Sequence, residues 1–274
     1  MNAPAQSFGL RAALTSALEW WDDAGIDTPP VPPAPRARRA PPKPLDPAKL
    51  APSKQPLKAK PSAAQVSAAA DADREKLLAA AKAVAGSAPT LEALYKVITD
   101  FDAADLSVNA RAAVIARGNA GSGVMFIGEA PGKDEDMAGK PFVGKAGQLL
   151  DRMLAAIGLD EQSAYITNVC NWRPVNGRAP VEDELALARP FITRHIELAA
   201  PKVIVLVGGT ALEVLTGQKG ITKLRGQWQD YTAGEAAIPA MPLYHPAFLL
   251  RRPELKAEAW RDLLAIKARI EGAK

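Results

Sequence analysis

A turn rich in carboxylates follows the first apolar, β-prone run of the chain and occupies residues 128–136. Its acids are Glu129, Asp134, Glu135 and Asp136. They would repel phosphate, and the glycine spacing matches neither a phosphate-binding loop nor a dinucleotide-binding turn. The backbone amides of such a turn can fix an oxygen of a ligand while a carboxylate orients a nucleophilic water. An ordinary acidic loop is the alternative interpretation.

Three further residues could take part in recognition. Phe142 lies between Pro141 and a glycine-rich turn, as either a core anchor or a stacking platform. Asn168 ends the second β-prone run, where its carboxamide could offer one acceptor and two donors to a ligand or act as a turn residue. His245 stands between the last run and a proline, so it points from a strand end into a loop. His195 falls within a predicted helix and is interpreted as structural.

The segment after His245 combines bulky apolar side chains with cations. Such a combination suits a wedge that enters the base stack of DNA while arginine meets the backbone. The start of an apolar helix is the alternative. The wedge residues predicted here are Phe248, Leu249, Leu250 and Arg251.

Alternating strands and helices must position these residues. Short β-prone runs stand at 124–127, 165–169, 203–207 and 241–244, and helical patterns at 147–157, 182–198 and 210–215. This order is typical of an α/β fold whose parallel sheet is covered on both faces and binds ligands beyond the carboxyl ends of its strands. We therefore predict a three-layer α/β/α sandwich with a central four-stranded parallel sheet.

Composition divides the chain into three parts. Apolar residues at helical spacing predict an amphipathic helix within residues 1–27, which either folds back on its own domain or binds a protein partner. Prolines and basic residues crowd residues 28–65 and predict a disordered linker, serving as a spacer or as a DNA-tracking arm. Residues 66–274 form the predicted folded domain, with a helical lead-in at 66–118.

Charge and cysteine content set limits on function. The net charge of +4 is compatible with a polyanionic partner without requiring one. A single cysteine, Cys170, excludes internal disulfides and a cysteine-ligated metal cluster. No apolar run approaches the length of a membrane span, so we expect no membrane contact. A cytoplasmic location, nucleoid-associated in a bacterium, and a monomeric state are default expectations.

Five short motifs follow one another along residues 124–270. They are Gly-Glu-Ala-Pro-Gly at 128–132, Pro-Phe-Val-Gly at 141–144, Gly-Gln-Leu-Leu-Asp at 147–151, Tyr-Ile-Thr-Asn-Val at 165–169 and His-Pro-Ala-Phe-Leu-Leu-Arg at 245–251. Their sequence and order resemble the uracil-DNA glycosylase superfamily, and its family 4 most closely. The resemblance implies the glycosylase fold, with the catalytic domain in residues 66–274. It also implies hydrolysis of the N-glycosidic bond of uracil in single- or double-stranded DNA. That reaction would be the monofunctional first step of base excision repair, leaving an abasic site.

The same resemblance implies roles for individual residues. Glu129 and His245 would be catalytic. Glu129 would position the water, and Asp134 or Asp136 would be the alternative residue for that role. His245 would stabilise the departing uracil anion at O2. Phe142 would stack on the flipped base, and Asn168 would bind its pairing edge. The full uracil-binding set would be Ala130, Gly132, Asp136, Phe142, Asn168 and His245.

Two departures from the family pattern keep alternatives open. Relatives that exclude thymine carry a tyrosine where Gly132 stands, so Glu135 or Asp136 would have to fill that space, or the enzyme would also remove hypoxanthine and xanthine. A catalytically silent DNA-binding relative is a further alternative. Family 4 also holds a four-iron four-sulfur cluster on four cysteines, and the matching positions here are Phe101, Ala104, Trp172 and Ala188. We therefore predict no cofactor, with apolar packing in place of the cluster.

Overall fold

The computed structural model describes residues 63–233 and 236–272. The predicted N-terminal helix and nearly all of the predicted linker lie outside these ranges. A helical lead-in comes first, with α1 at Ala63–Ser87, α2 at Leu91–Asp100 and α3 at Asp105–Asn109. Thr90 caps α2, because its hydroxyl accepts a hydrogen bond from the Ala93 amide.

Six strands form one sheet. They are β1 at Ala116–Gly118, β2 at Val124–Gly128, β3 at Tyr165–Asn168, β4 at Val203–Val207, β5 at Gln229–Ala233 and β6 at Ala236–Leu243. Their order in the sheet is β1-β3-β2-β4-β6-β5. The four central strands are parallel, which confirms the prediction, and the two edge strands are antiparallel to their neighbours.

Seven further helices connect or flank the strands of the described ranges. They are α4 at Lys133–Ala138, α5 at Lys145–Ala156, α6 at Glu182–Ala199, α7 at Gly209–Thr216, α8 at Ile221–Leu224, α9 at Pro246–Arg251 and α10 at Lys256–Gly272. Short 3-10 turns stand at Ala120–Ser122, Val175–Gly177 and Pro253–Leu255. No helix in the ranges described is both long and apolar enough to cross a membrane.

Helices cover both faces of the sheet. Successive side chains of a strand point to opposite faces, so Met125 and Ile127 of β2 pack with α1, α2, α6 and α7, whereas Val124 and Phe126 pack with α5, α9 and α10. Every residue of β2 and of β4 is buried, as expected of central parallel strands. The predicted three-layer α/β/α sandwich is therefore confirmed.

An aromatic cluster joins the lead-in to the rest of the domain. The ring centroids of Phe101, Trp172 and Phe191 lie 5.1 to 6.3 Å apart, within the range of favourable edge-to-face contacts. Ala188 is fully buried beside them in the same core. Large rings thus fill the space between segments that are far apart in the sequence.

His195 is part of a buried polar chain beneath the sheet. Its Nε2 lies 2.6 Å from the hydroxyl of Tyr165, which in turn is hydrogen-bonded to the hydroxyl of Tyr95. Burial lowers the pKa of His195 to about 4, so the ring is neutral at pH 7. These contacts support its interpretation as a structural residue.

Candidate active site

The carboxyl ends of the parallel strands bring the candidate residues to one edge of the sheet. Glu129 directly follows β2, Asn168 is the last residue of β3, and His245 lies two residues beyond β6. Register places Gly128 opposite Asn168. In the neighbouring pair, Val207 at the end of β4 lies opposite the end of β6. This edge is where ligands of parallel sheets bind.

Gly128 allows Asn168 and Phe142 to approach each other. A methyl group added to Gly128 would overlap with both the Asn168 Oδ1 and the Phe142 ring. Only glycine therefore fits at the end of β2. The reason is lack of space and not backbone conformation, because the φ angle of Gly128 is not positive. The carboxamide and the ring meet over this backbone.

His245 stacks against Phe142. Their ring centroids are 5.6 Å apart with 30° between the planes, a stacked arrangement. Gly208, which follows β4, supports the imidazole from below, since a Cβ at that position would be 3.2 Å from the His245 Cβ. Phe142, Asn168 and His245 thus form one cluster across three strand ends.

A hydrogen bond to the His245 ring determines which of its two nitrogens carries the proton. The Ala247 amide donates to Nδ1 at 3.1 Å, and this contact also caps α9. Burial, reinforced by the charge of Arg251, lowers the pKa of His245 to about 4. The ring is therefore neutral at pH 7, and because Nδ1 is an acceptor, its one N–H is at Nε2.

The Asn168 side chain retains its full hydrogen-bonding capacity. The residue is 2% exposed, yet its carboxamide makes no hydrogen bond to any residue that the structure describes. Neither polar atom of the carboxamide belongs to the fully buried, unpartnered side-chain atoms of the described residues, so the group is open to a ligand and not sealed in the core. One acceptor and two donors are thus held rigidly at the end of β3.

Glu129 is half-buried and anchored at both ends. Its backbone carbonyl accepts from the Cys170 amide at 3.0 Å, and its Oε2 accepts a hydrogen bond from the hydroxyl of Thr210 in the first turn of α7. Sequence reasoning missed Thr210, although its place just after a strand end was a signal.

The loop that carries Phe142 is bound by Glu135. One carboxylate oxygen accepts from the amides of Val143 at 3.0 Å and Gly144 at 2.9 Å, and the other accepts from Gly132 at 3.1 Å. A Cβ on Gly132 would be 2.6 Å from the same carboxylate. Glu135 therefore occupies the space beside Gly132, while half-buried Ala130 packs against the core.

Of the two acids predicted as alternatives to Glu129, Asp136 is engaged away from the cluster. Asp136 is buried, with one oxygen accepting from the Arg111 amide at 2.8 Å and the other 3.7 Å from the Arg173 guanidinium. It braces α4 against the lead-in, and this engagement argues against the uracil-binding role expected for it. Asp134 is exposed.

The predicted wedge divides into buried and exposed parts. Leu249 is fully buried in the core, which contradicts its prediction as a wedge residue, because a side chain packed on α5 and α10 cannot enter DNA. Phe248 is half-buried against Tyr244. Leu250 is 41% exposed and Arg251 is exposed, so these two face solvent at the rim of the site.

The described residues offer no group of three His, Cys, Asp or Glu side chains that could hold a metal ion. The four positions expected to carry cluster cysteines are occupied by Phe101, Ala104, Trp172 and Ala188, none of which ligates iron. Cys170 is fully buried, its Sγ lies 3.2 Å from the Trp172 carbonyl oxygen, and burial raises the pKa of its thiol to about 12. The residues present do not fit an iron–sulfur cluster.

Fold and site together define an α/β domain with a ring-stacking side chain, a carboxamide, a carboxylate and a neutral imidazole at one sheet edge. Residues 115–264, more than half of the chain, match the model of the uracil DNA glycosylase superfamily. The chain belongs to this superfamily.

Several relatives of this chain are named type-4 uracil-DNA glycosylase. A type-4 uracil-DNA glycosylase of Thermotoga maritima is 36% identical over 190 residues, which cover 66% of this chain and 97% of the relative. One from Sulfurisphaera tokodaii is 40% identical over 150 residues, 53% of this chain and 68% of the relative. One from Archaeoglobus fulgidus is 38% identical over 154 residues, 54% of this chain and 77% of the relative.

Proposed function

We propose that this protein is a uracil-DNA glycosylase that hydrolyses the N-glycosidic bond of uracil in DNA and leaves an abasic site for base excision repair. The observation that carries the proposal is the cluster of Phe142, Asn168 and His245 over Gly128, with the Asn168 carboxamide unpartnered among the described residues. The names of the relatives support the same substrate.

Binding begins with extrusion of the uracil nucleotide from the DNA stack. Extrusion costs a few kcal/mol, and less in mismatched or single-stranded DNA. Stacking on the Phe142 ring returns about 1–3 kcal/mol. The Asn168 carboxamide then donates one hydrogen bond to uracil O4 and accepts one from N3–H, so two of its hydrogen-bonding positions are filled by the base. Cytosine reverses this pattern of donor and acceptor and is therefore disfavoured.

Cleavage of the C1′–N1 bond leaves a sugar cation and a uracil anion with charge on O2. The Nε2–H of neutral His245 donates to O2 as that charge develops. Donors that act on charge formed in the transition state are worth about 10²–10³ in rate. A neutral imidazole also avoids proton transfer to an anion that is already a weak base.

Water bonds to C1′ of the sugar cation and loses one proton, which finally neutralises the uracil anion. Glu129 orients that water with its carboxylate held by Thr210. Since the nucleophile is water rather than an amine of the protein, the enzyme is monofunctional. Leu250 and Arg251 at the rim contact the DNA beside the extruded nucleotide. The reaction as proposed uses no metal.

A panel of matched oligonucleotides tests the proposal. Each holds one uracil, thymine, hypoxanthine or xanthine in single- or double-stranded form, and alkaline cleavage reports abasic sites. We expect cleavage at uracil only, because the Glu135 carboxylate leaves little room beside Gly132. Cleavage at the purines would establish the broader enzyme instead, and tight DNA binding without any cleavage would identify a silent relative.

A further inference from the structure

Arg117, on the edge strand β1, reaches the back of the loop that carries Phe142. Its side chain is 7% exposed. The Nε donates a hydrogen bond to the Pro141 carbonyl at 3.0 Å, and Nη2 donates to the Phe142 carbonyl at 3.3 Å. A buried cation is thus aimed at two successive backbone oxygens of this loop.

Two carboxylates balance the charge of Arg117. Nη2 also donates to Asp151 on α5, and Nη1 donates to Glu161, ahead of β3, at 3.0 Å. One guanidinium therefore joins β1, the Phe142 loop, α5 and the turn before β3. The planar fork of arginine can bind several acceptors in fixed directions, which the single ammonium of lysine cannot reproduce.

The Phe142 backbone requires such support. Its φ angle is 54°, in the left-handed region that residues with a side chain seldom adopt. Conformations of this kind persist only where the surroundings hold them in place. Gly147 of α5 lies directly against the Phe142 carbonyl, and a Cβ at that position would overlap with it. The following amides, at Val143 and Gly144, are bound by Glu135.

We propose that Arg117 is a positioning residue for Phe142, holding the carbonyl side of the loop while Glu135 holds its amide side. Arg117 does not touch the reacting atoms. It fixes the orientation of the ring on which the extruded base stacks, and to that extent the inference rests on the proposed function.

Hydrogen exchange tests, without any substrate, whether Arg117 holds the Phe142 loop. Arg117→Gln and Arg117→Lys should increase amide exchange at Val143 and Gly144 about tenfold or more, since local opening of the loop becomes easier. Arg194→Gln is the matched control. Arg194 binds the Ala88 carbonyl through Nε at 3.0 Å and Nη2 at 2.9 Å, and pairs with Glu197, far from this loop. The control variant should leave exchange at Val143 and Gly144 unchanged.

A double-mutant cycle tests whether Arg117 affects uracil removal through the Phe142 ring. Arg117→Lys should lower kcat/KM on a uracil-containing oligonucleotide about 10- to 100-fold, as expected when a contact group is misplaced by about 1 Å. In a Phe142→Ala background, the same substitution should cost little further, because its effect passes through the ring. Arg194→Gln should retain the activity of the original chain.

Each result decides the question. Unchanged exchange at Val143 and Gly144 in Arg117→Lys would overturn the proposal, and so would losses that simply add in the double variant. If Arg117→Gln does not fold, Arg117→Lys carries both measurements. If the unaltered chain removes no uracil, the proposed function fails, whereas the exchange experiment still decides whether Arg117 holds the loop.

Discussion

The hydroxyl of Thr210 donates a hydrogen bond to the carboxylate of Glu129, across the ends of two neighbouring parallel strands. Thr210 engages Oε2 of this carboxylate. The pair links the turn after β2 to the first turn of α7. We expect Thr210 to set the direction in which Glu129 points.

Replacing Thr210 by valine should therefore lower kcat for uracil removal about tenfold, since a hydrogen bond to a charged group is worth about 1.5–3 kcal/mol. Thr210→Ser keeps the hydroxyl and should stay within about threefold of the original rate. Single-turnover assays on one oligonucleotide compare the two variants. Equal rates for valine and serine would show that Glu129 needs no such donor.

The pH profile of uracil removal should reflect the lowered pKa of His245. An ordinary histidine titrates near 6.5, but burial keeps this ring neutral down to about pH 4. Activity that depends on neutral His245 is therefore present above pH 4 and is lost as the pH falls through that value. Rates measured from pH 4 to 8 should show no inflection near 6.5. An inflection there that disappears in His245→Gln would contradict the assignment of a neutral donor.

Gly128→Ala should disturb Asn168 and Phe142 together. The added methyl overlaps with both side chains, so we expect a loss of about 1–3 kcal/mol in the free energy of unfolding and at least a tenfold loss in kcat/KM. Gly86→Ala in α1 is the control, because its methyl would meet no atom within 4 Å. Urea unfolding and kinetics on both variants provide the comparison. Full activity in Gly128→Ala would refute the tight contact.

Asn168→Asp should reduce activity on uracil by about 100-fold, because the aspartate can no longer donate to O4 and repels it. Asn171→Asp is a suitable control, since Asn171 is equally buried but uses its amide to bind the Val114 carbonyl at 3.1 Å. Both variants should lose stability, and only the first should change the ratio of uracil to cytosine removal. An unchanged ratio in Asn168→Asp would remove Asn168 from base recognition.

Trp172→Ala should lower the free energy of unfolding by about 3–5 kcal/mol, as is usual for a large ring removed from a core. Urea unfolding measures this loss.

Metal analysis of the unaltered protein tests the predicted lack of a cluster. We expect no iron and unchanged uracil removal in the presence of a chelator. Iron in stoichiometric amount would contradict the assignment of packing in place of a cluster.

Much of the sheet and its edge could be predicted from the sequence. The central strands are buried on both faces and are continuous in apolar residues, and the polar residues that follow them fall at one edge because parallel strands share their direction. The two edge strands escaped prediction. β1 has only three residues, Ala116–Gly118, and the polar sequence of β5 suits an edge exposed to solvent.

Contacts that depend on tertiary geometry could not be predicted in the same way. Arg117 occurs in a short strand with no motif around it, and only the folded chain brings it to the Phe142 carbonyl. Leu249, by contrast, was predicted to enter DNA and is instead buried in the core. Its neighbours Phe248 and Leu250 have the same apolar character, and the helical phase of α9 alone decides which of the three faces the core.

The rings of Phe101, Trp172 and Phe191 make their contacts as soon as the chain has folded. The lead-in is thus joined to the sheet by side chains of the chain itself. The contact between the lead-in and the sheet is therefore formed by folding of the chain and depends on the packing of these three rings.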